Sequence, residues 1–133
     1  MTTNNDIETI LQSALQFGYQ DAHLEIHRTE KIAFLDSRRL ELTRKEYDLL
    51  LLLAENAGEV VPREVLLMRV WGYGSAIRTR TLDVHIRSLR KQLGSYSEQC
   101  IETIFGIGYR FQPFRTSRRF QSVAPVSEIA LTA

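Results

Sequence analysis

Apolar residues recur at two different periods along this chain. Leu24 and Ile26 alternate with polar neighbours, and Ile32 with Phe34 and Leu40 with Leu42 repeat that spacing. A period of two belongs to strands with one buried face. The breaks at Arg28-Thr29-Glu30 and Asp36-Ser37 divide the stretch into three or four short antiparallel strands, with Ile32 and Phe34 expected on the apolar face. The period then lengthens. Thr43-Arg44-Lys45-Glu46 has the form of a capping box, in which Thr and Glu each satisfy a backbone N–H of the other. The helix that follows buries Tyr47, Leu50, Leu51 and Ala54 and ends at Asn56-Ala57-Gly58. Val60-Val61 suggests a minimal strand, and Pro62 suits the start of a second helix burying Val65, Leu66 and Val70. After the loop Gly72-Tyr73-Gly74-Ser75, a third helix is expected from about Arg78 to Leu93, closed by Gly94-Ser95. Two strands follow, 101–104 and 109–112, joined by Phe105-Gly106-Ile107-Gly108, where glycine permits the dihedrals of a tight hairpin.

The ends of the chain differ from this middle. Residues 6–17 carry Ile7, Ile10, Leu11, Ala14 and Leu15 at helical spacing, with Gly18 as a stop. That helix would cover an apolar patch on this domain or on a second copy. Beyond Pro113 the sequence is aperiodic and reads as a disordered tail. The organisation expected is an extension over 1–23, one domain over 24–112 able to fold by itself, and a tail over 113–133.

Composition adds little until charge is placed along the chain. The 133 residues carry a net charge of +1. Residues 1–62 hold 6 Lys+Arg against 11 Asp+Glu, whereas residues 63–119 hold 11 against 4. Such asymmetry points to an anionic partner for the second half, nucleic acid being the commonest. No apolar run approaches the ~18 residues of a membrane span, and no secretory signal opens the chain. A cytoplasmic protein without a membrane partner is expected. The single cysteine, Cys100, excludes an intrachain disulfide.

The third helix concentrates the chemistry. At about 100° per residue, Leu82, Ile86, Leu89 and Leu93 form one narrow stripe. The opposite side carries Arg80, Val84, Arg87 and Lys91, with Ser88 beside them. Between 78 and 91 five basic groups (Arg78, Arg80, Arg87, Arg90, Lys91) face one acid, Asp83. A merely solvated helix face usually mixes both signs. An apolar Val84 among cations suits a thymine methyl in a major groove. A second helix, a short loop and this basic helix make a helix-turn-helix. The glycine-turned hairpin behind it, with Tyr109 and Arg110, makes a wing that can reach phosphates or a minor groove. The fold class expected is α+β: a winged helix-turn-helix with an N-terminal antiparallel sheet, a three-helix core and a C-terminal β-hairpin wing.

These segments resemble the OmpR/PhoB family of effector domains. The residues that carry the resemblance are Leu-Thr-Arg-Lys-Glu-Tyr-Asp-Leu-Leu (42–50), Arg-Glu-Val-Leu (63–66), Val-Trp-Gly (70–72), Arg-Thr-Leu-Asp-Val-His-Ile-Arg-Ser-Leu-Arg-Lys-Gln-Leu (80–93) and Ile-Glu-Thr-Ile-Phe-Gly-Ile-Gly-Tyr-Arg-Phe (101–111). The resemblance implies a bacterial transcription regulator of the two-component, response-regulator kind, binding double-stranded DNA as a homodimer or in tandem. It implies phosphate contacts from Trp71, Arg80, Arg87 and Tyr109, and base-side contacts from Val84 and its neighbours. Arg78, Thr81, Ser88, Arg90, Lys91, Thr103 and Arg110 complete the expected DNA surface. The loop of Trp71, Gly72, Tyr73, Gly74 and Ser75 would meet RNA polymerase. Family members often carry Arg where this chain has Ser88, and some carry an Arg in the wing where it has Phe105. Most also have a receiver domain in front, for which residues 1–23 are too short.

Catalysis finds no support in the sequence. His23, His27 and His85 lack metal-ligand spacing, Cys100 stands alone, and no nucleophile–base pair is evident. Phe105-Gly106-Ile107-Gly108 is not followed by the Lys-Ser/Thr of a phosphate-binding loop. No enzyme activity, metal or cofactor is expected. The competing expectation is a module that recruits a protein partner without reading DNA.

Overall fold

The computed structural model describes residues 7, 8, 11, 16–74 and 78–114, with the backbone alone for Gln99. Strands β1 (Phe17–Gln20), β2 (Leu24–His27), β3 (Ile32–Leu35) and β4 (Arg38–Arg39) form an antiparallel sheet in chain order. Asp36 and Ser37 both take left-handed dihedrals, φ 51° and 68°, which is the two-residue hairpin turn that matches strand twist. Leu24 pairs with Leu35 and Ile26 with Ala33, so these four residues share the buried face. Ile32 and Phe34 therefore lie on the opposite face, contrary to the alternation reading. All four positions of β3 are apolar, so the pattern alone cannot choose a face; the register with β2 does.

The sheet begins before the boundary expected at residue 24. Phe17 is the first residue of β1 rather than the last of a helix. The strand bulges between Phe17 and Tyr19. At Gly18 a Cβ would stand 2.6 Å from Leu51 Cδ1, so the glycine read as a helix stop is a point of close packing. Tyr19 meets Phe111 edge-on at 5.2 Å. The far end of the domain returns to the same place: Phe114 is buried, and its N–H donates to Asp21 over 2.9 Å. The other Asp21 oxygen accepts from the N–H groups of His23 and Leu24, closing the β1–β2 turn. The packed unit thus takes in residues 17–23 and 113–114, outside the 24–112 span. Ile7 and Leu11 are exposed, whereas Ile10, Ala14, Leu15 and residues 115–133 lie outside the described residues.

Helix α1 (Arg44–Glu55) starts as the capping box requires. Thr43 Oγ1 accepts from the Glu46 N–H at 3.2 Å, and Glu46 accepts from the Thr43 N–H at 3.0 Å. Its buried face is Tyr47, Leu49, Leu50, Leu53 and Ala54, and Tyr47 donates its hydroxyl to the His27 carbonyl. Strand β5 (Val60–Pro62) then pairs with the last strand of the chain. Helix α2 (Arg63–Leu66) follows Pro62 and widens into a π-helical turn over Leu67–Trp71, ended by Gly72 at φ 78°. Lys45 Nζ donates to the Val70 carbonyl at this end.

Helix α3 (Thr81–Leu93) buries Leu82, Ile86, Leu89 and Leu93, the stripe read from the sequence. It starts later than expected. Arg78 and Arg80 precede it, and the Thr79 hydroxyl accepts from the Thr81 N–H at 3.1 Å. A 3₁₀ turn (Gly94–Tyr96) and a helical turn α4 (Ser97–Cys100), neither foreseen, lead into β6 (Ile101–Ile104). Strand β7 (Gly108–Phe111) returns between β6 and β5, making a second sheet in the order β5-β7-β6. Only Gly106 in this hairpin uses a positive φ, 79°. Gly108 serves another need: a Cβ there would collide with the Val61 carbonyl and stand 2.9 Å from Pro62 Cα. The core lies between the four-stranded sheet, the three helices and β7. Among the described residues no helix is long and apolar enough to cross a membrane.

Candidate nucleic-acid interface

Helix α3 is two-sided. Its inner stripe is fully buried, while Val84 is 56% exposed and Arg87 and Lys91 are exposed with it. Ser88 is half-buried beside them. Arg78 and Arg80 are also exposed, immediately ahead of the first turn. Arg63, Arg78 and Arg80 border a recess of about 640 Å³ shared with Glu64 and Asp83. An exposed apolar side chain thus shares the outer face of α3 with exposed cations.

The remaining expected residues are engaged within the protein. Tyr109 is only 7% exposed, and its hydroxyl donates to Asp83 Oδ1 at 2.7 Å. Arg63 Nη1 donates to the same oxygen at 2.6 Å, and its Nη2 reaches the Thr79 carbonyl. Partial burial opposes ionisation of Asp83, but the hydrogen bonds from Tyr109 and Arg63 outweigh it and hold the carboxyl below its ordinary value. Burial, then the bond to Asp83, pushes the Tyr109 phenol up to about 12. The one acid of α3 is therefore hydrogen-bonded by neighbours from α2 and the hairpin.

A second brace joins the helix to the hairpin. Arg90 donates through Nη2 to the Ile101 carbonyl at 2.9 Å and to Thr103 Oγ1 at 2.7 Å. Its guanidinium lies over the Tyr109 ring, 5.9 Å from the centroid. Arg110 is paired with Glu102 across the hairpin at 2.8 Å. Arg90, Thr103 and Tyr109 thus tie the hairpin to α3, and Arg110 ties its two strands together. Thr81 opens the helix, half-buried, and its carbonyl accepts from His85 Nδ1 at 2.7 Å. The His85 ring meets Trp71 edge-on at 4.9 Å, which fixes the half-buried indole at the end of α2. His85 is thus packed, half-buried, between Thr81 and Trp71.

In the loop after α2, Gly72 is the left-handed cap, Tyr73 is half-buried against the core and Gly74 is exposed. Ser75 lies outside the described residues. Cys100 is buried, and that burial pushes its thiol up to about 12. No group of His, Cys, Asp or Glu able to hold a metal is found among the described residues.

Sequence reasoning missed Arg63 and the position-specific work of Asp83, Thr79 and Arg90. Arg63 lay within a recognisable segment, but nothing local signals a partner 20 residues away. It noted Phe105 only as a departure from the family and did not foresee a tip with Phe105 89% exposed and Ile107 52% exposed.

Sheet, helix-turn-helix and braced hairpin together define the winged-helix class of effector domains. The chain belongs to the family described as transcriptional regulatory protein, C terminal, whose model matches residues 37–111, the effector domain of the OmpR/PhoB type. It is 49% identical over 76 residues to the response regulator ArlR of Staphylococcus aureus. That match covers 56% of this chain and 35% of the relative, so the chain spans about a third of such proteins. Among solved structures it is similar to the DNA-binding domain of CpxR from E. coli, at 32% identity and a TM-score of 0.64, covering 71% of this chain and 94% of that one. The Klebsiella pneumoniae RstA DNA-binding domain, solved with the RstA box, is similar at 29% identity and a TM-score of 0.66, covering 71% and 96%. The Thermotoga maritima OmpR/PhoB homologue DrrB is similar at 35% identity and a TM-score of 0.64, covering 84% and 55%.

Proposed function

We propose that this chain binds double-stranded DNA sequence-specifically and so regulates transcription, with α3 in the major groove and the β6–β7 hairpin on the backbone and the adjacent minor groove. The observation that carries this reading is the outer face of α3, where exposed Val84 stands among Arg80, Arg87 and Lys91 on a helix whose other face is locked into the core. Arg78, Arg80, Arg87 and Lys91 are assigned to phosphates, which position the helix without reading sequence. Val84 is assigned to a base edge, with Ser88 as a tolerant neighbour. Trp71, whose indole packs on His85, is assigned to the backbone as well. Arg90, Thr103, Tyr109 and Arg110 contribute from behind by fixing the wing. That the similar RstA DNA-binding domain was solved in complex with the RstA box supports DNA binding as the function.

The loop from Trp71 to Ser75 is assigned to RNA polymerase, and a homodimer or tandem pair on DNA is the expected assembly. The chain would act in the cytoplasm as the output of a two-component system, a binding module that needs no cofactor. The test is a salt titration of binding to a duplex enriched from a random pool. Affinity should fall steeply and linearly on logarithmic axes, and Arg87→Ala should reduce that slope by about one. Binding insensitive to salt would favour a protein-recruiting module.

A further inference from the structure

We infer that Phe105 is an apolar wedge that enters the minor groove beside the site of α3, partly unstacks one base step and bends the duplex; this rests on the DNA-binding reading above. Phe105 is the most exposed large apolar residue of the described chain, at 89%. The fold does not ask for it. Phe105 and Gly106 are the two central residues of a turn closed by the Ile107 N–H on the Ile104 carbonyl at 2.9 Å. Gly106 carries the positive φ that this turn demands, whereas position 105 would accept almost any residue and turns favour small polar ones.

The tip is narrow and its direction is fixed. Gly106 has no side chain, and a Cβ placed on it would meet nothing within 4 Å, so the tip presents Phe105 with the 52% exposed Ile107 beside it. No charged residue lies between Glu102 and Arg110. The base of the hairpin is tied to α3 twice, by Tyr109 on Asp83 and by Arg90 on Ile101 and Thr103. Phe105 also borders a recess of about 240 Å³ shared with Arg63 and Asp83, which places it beside the first turn of α3. A ring held at the tip of a clamped hairpin, next to the helix assigned to the major groove, reaches the neighbouring minor groove without further rearrangement.

The geometry favours DNA over protein as the occupant. Phe105 and Ile107 on one short turn offer far less than the ~800 Å² per partner that a stable protein interface buries. Phe105 does match the Phe, Leu or Ile wedges that enter between base pairs from the minor groove. The step entered should be a flexible pyrimidine–purine step, TA or CA, since those unstack most easily.

The experiment uses the full chain and a short duplex enriched from a random pool, with dyes at its ends and a fluorescent adenine analogue moved through the flanking steps. Wild type should brighten the analogue at one pyrimidine–purine step and bring the duplex ends closer. Phe105→Ala should abolish both signals, weaken binding roughly tenfold, comparable to one mismatched base pair, and leave the melting temperature unchanged. Phe105→Leu should restore most of the bend. Unchanged brightening and bend in Phe105→Ala overturn the wedge. A bend unchanged on one site, with loss only of the second copy on a two-site duplex, also overturns it and assigns Phe105 to a neighbouring protein. If wild type enriches no duplex at all, the DNA-binding reading has failed rather than the wedge alone.

Discussion

Tyr109 donates its hydroxyl to Asp83 Oδ1 over 2.7 Å, tying strand β7 to the first turn of α3. Because Arg63 donates to the same oxygen, three separate elements meet at one carboxylate. Its proton affinity in the folded protein lies below the ordinary 3.8. The sign follows: a carboxyl depressed on folding contributes stability that is fully present above its unfolded value and is lost as pH falls through the folded one. Asp36 and Glu102 are shifted the same way, by His23 and by Arg110 first of all. Asp83→Asn should be less stable than wild type at neutral pH, and the gap should close as pH falls below about 4. Thermal melts across that range decide it; a gap that stays constant in acid would remove the carboxylate from the account.

Arg90 is placed as a brace rather than a surface cation. Arg90→Ala strips the buried Ile101 carbonyl and the Thr103 hydroxyl of their donor. The expected cost is about 1–3 kcal/mol, the penalty for stranding buried polar groups. Amide exchange should accelerate across β6 and β7 more than in α1. Uniform acceleration, or none, would mean that the hairpin does not depend on this link.

The packing of the domain extends past residues 24–112. A chain of 24–112 lacks Tyr19, which packs on Phe111, and buried Phe114. Relative to a chain of 16–114 it should lose at least about 2 kcal/mol, the scale for burying one large apolar side chain. Equal denaturation midpoints would return β1 and Phe114 to the periphery.

What the sequence disclosed was what local chemistry controls. The capping box at Thr43 and Glu46, the stripe Leu82, Ile86, Leu89 and Leu93, and exposed Val84 all stand as read. What it concealed was set by distant pairing. The face of β3 depends on its register with β2, because Ile32-Ala33-Phe34-Leu35 has no polar position to break the tie. β1 hid behind Gly18, whose constraint is the Leu51 side chain and not a helix end. Arg90 and Tyr109 are indistinguishable from surface DNA contacts in sequence, since their partners Thr103 and Asp83 lie 13 and 26 residues away.

The central claim is that Val84 reads a base while its cationic neighbours hold the backbone. Its most direct test is a binding series on duplexes substituted one base pair at a time, comparing wild type, Val84→Ala and Arg87→Ala. Val84→Ala should lose discrimination at one pair, a T in the preferred site, by about 1 kcal/mol or somewhat more, the scale of a mismatched pair. Its low-salt affinity for unrelated DNA should stay near wild type. Arg87→Ala should weaken every duplex alike. If Val84→Ala shifts all duplexes equally or none, or if Arg87→Ala changes which sequence is preferred, α3 does not dock with Val84 against a base edge.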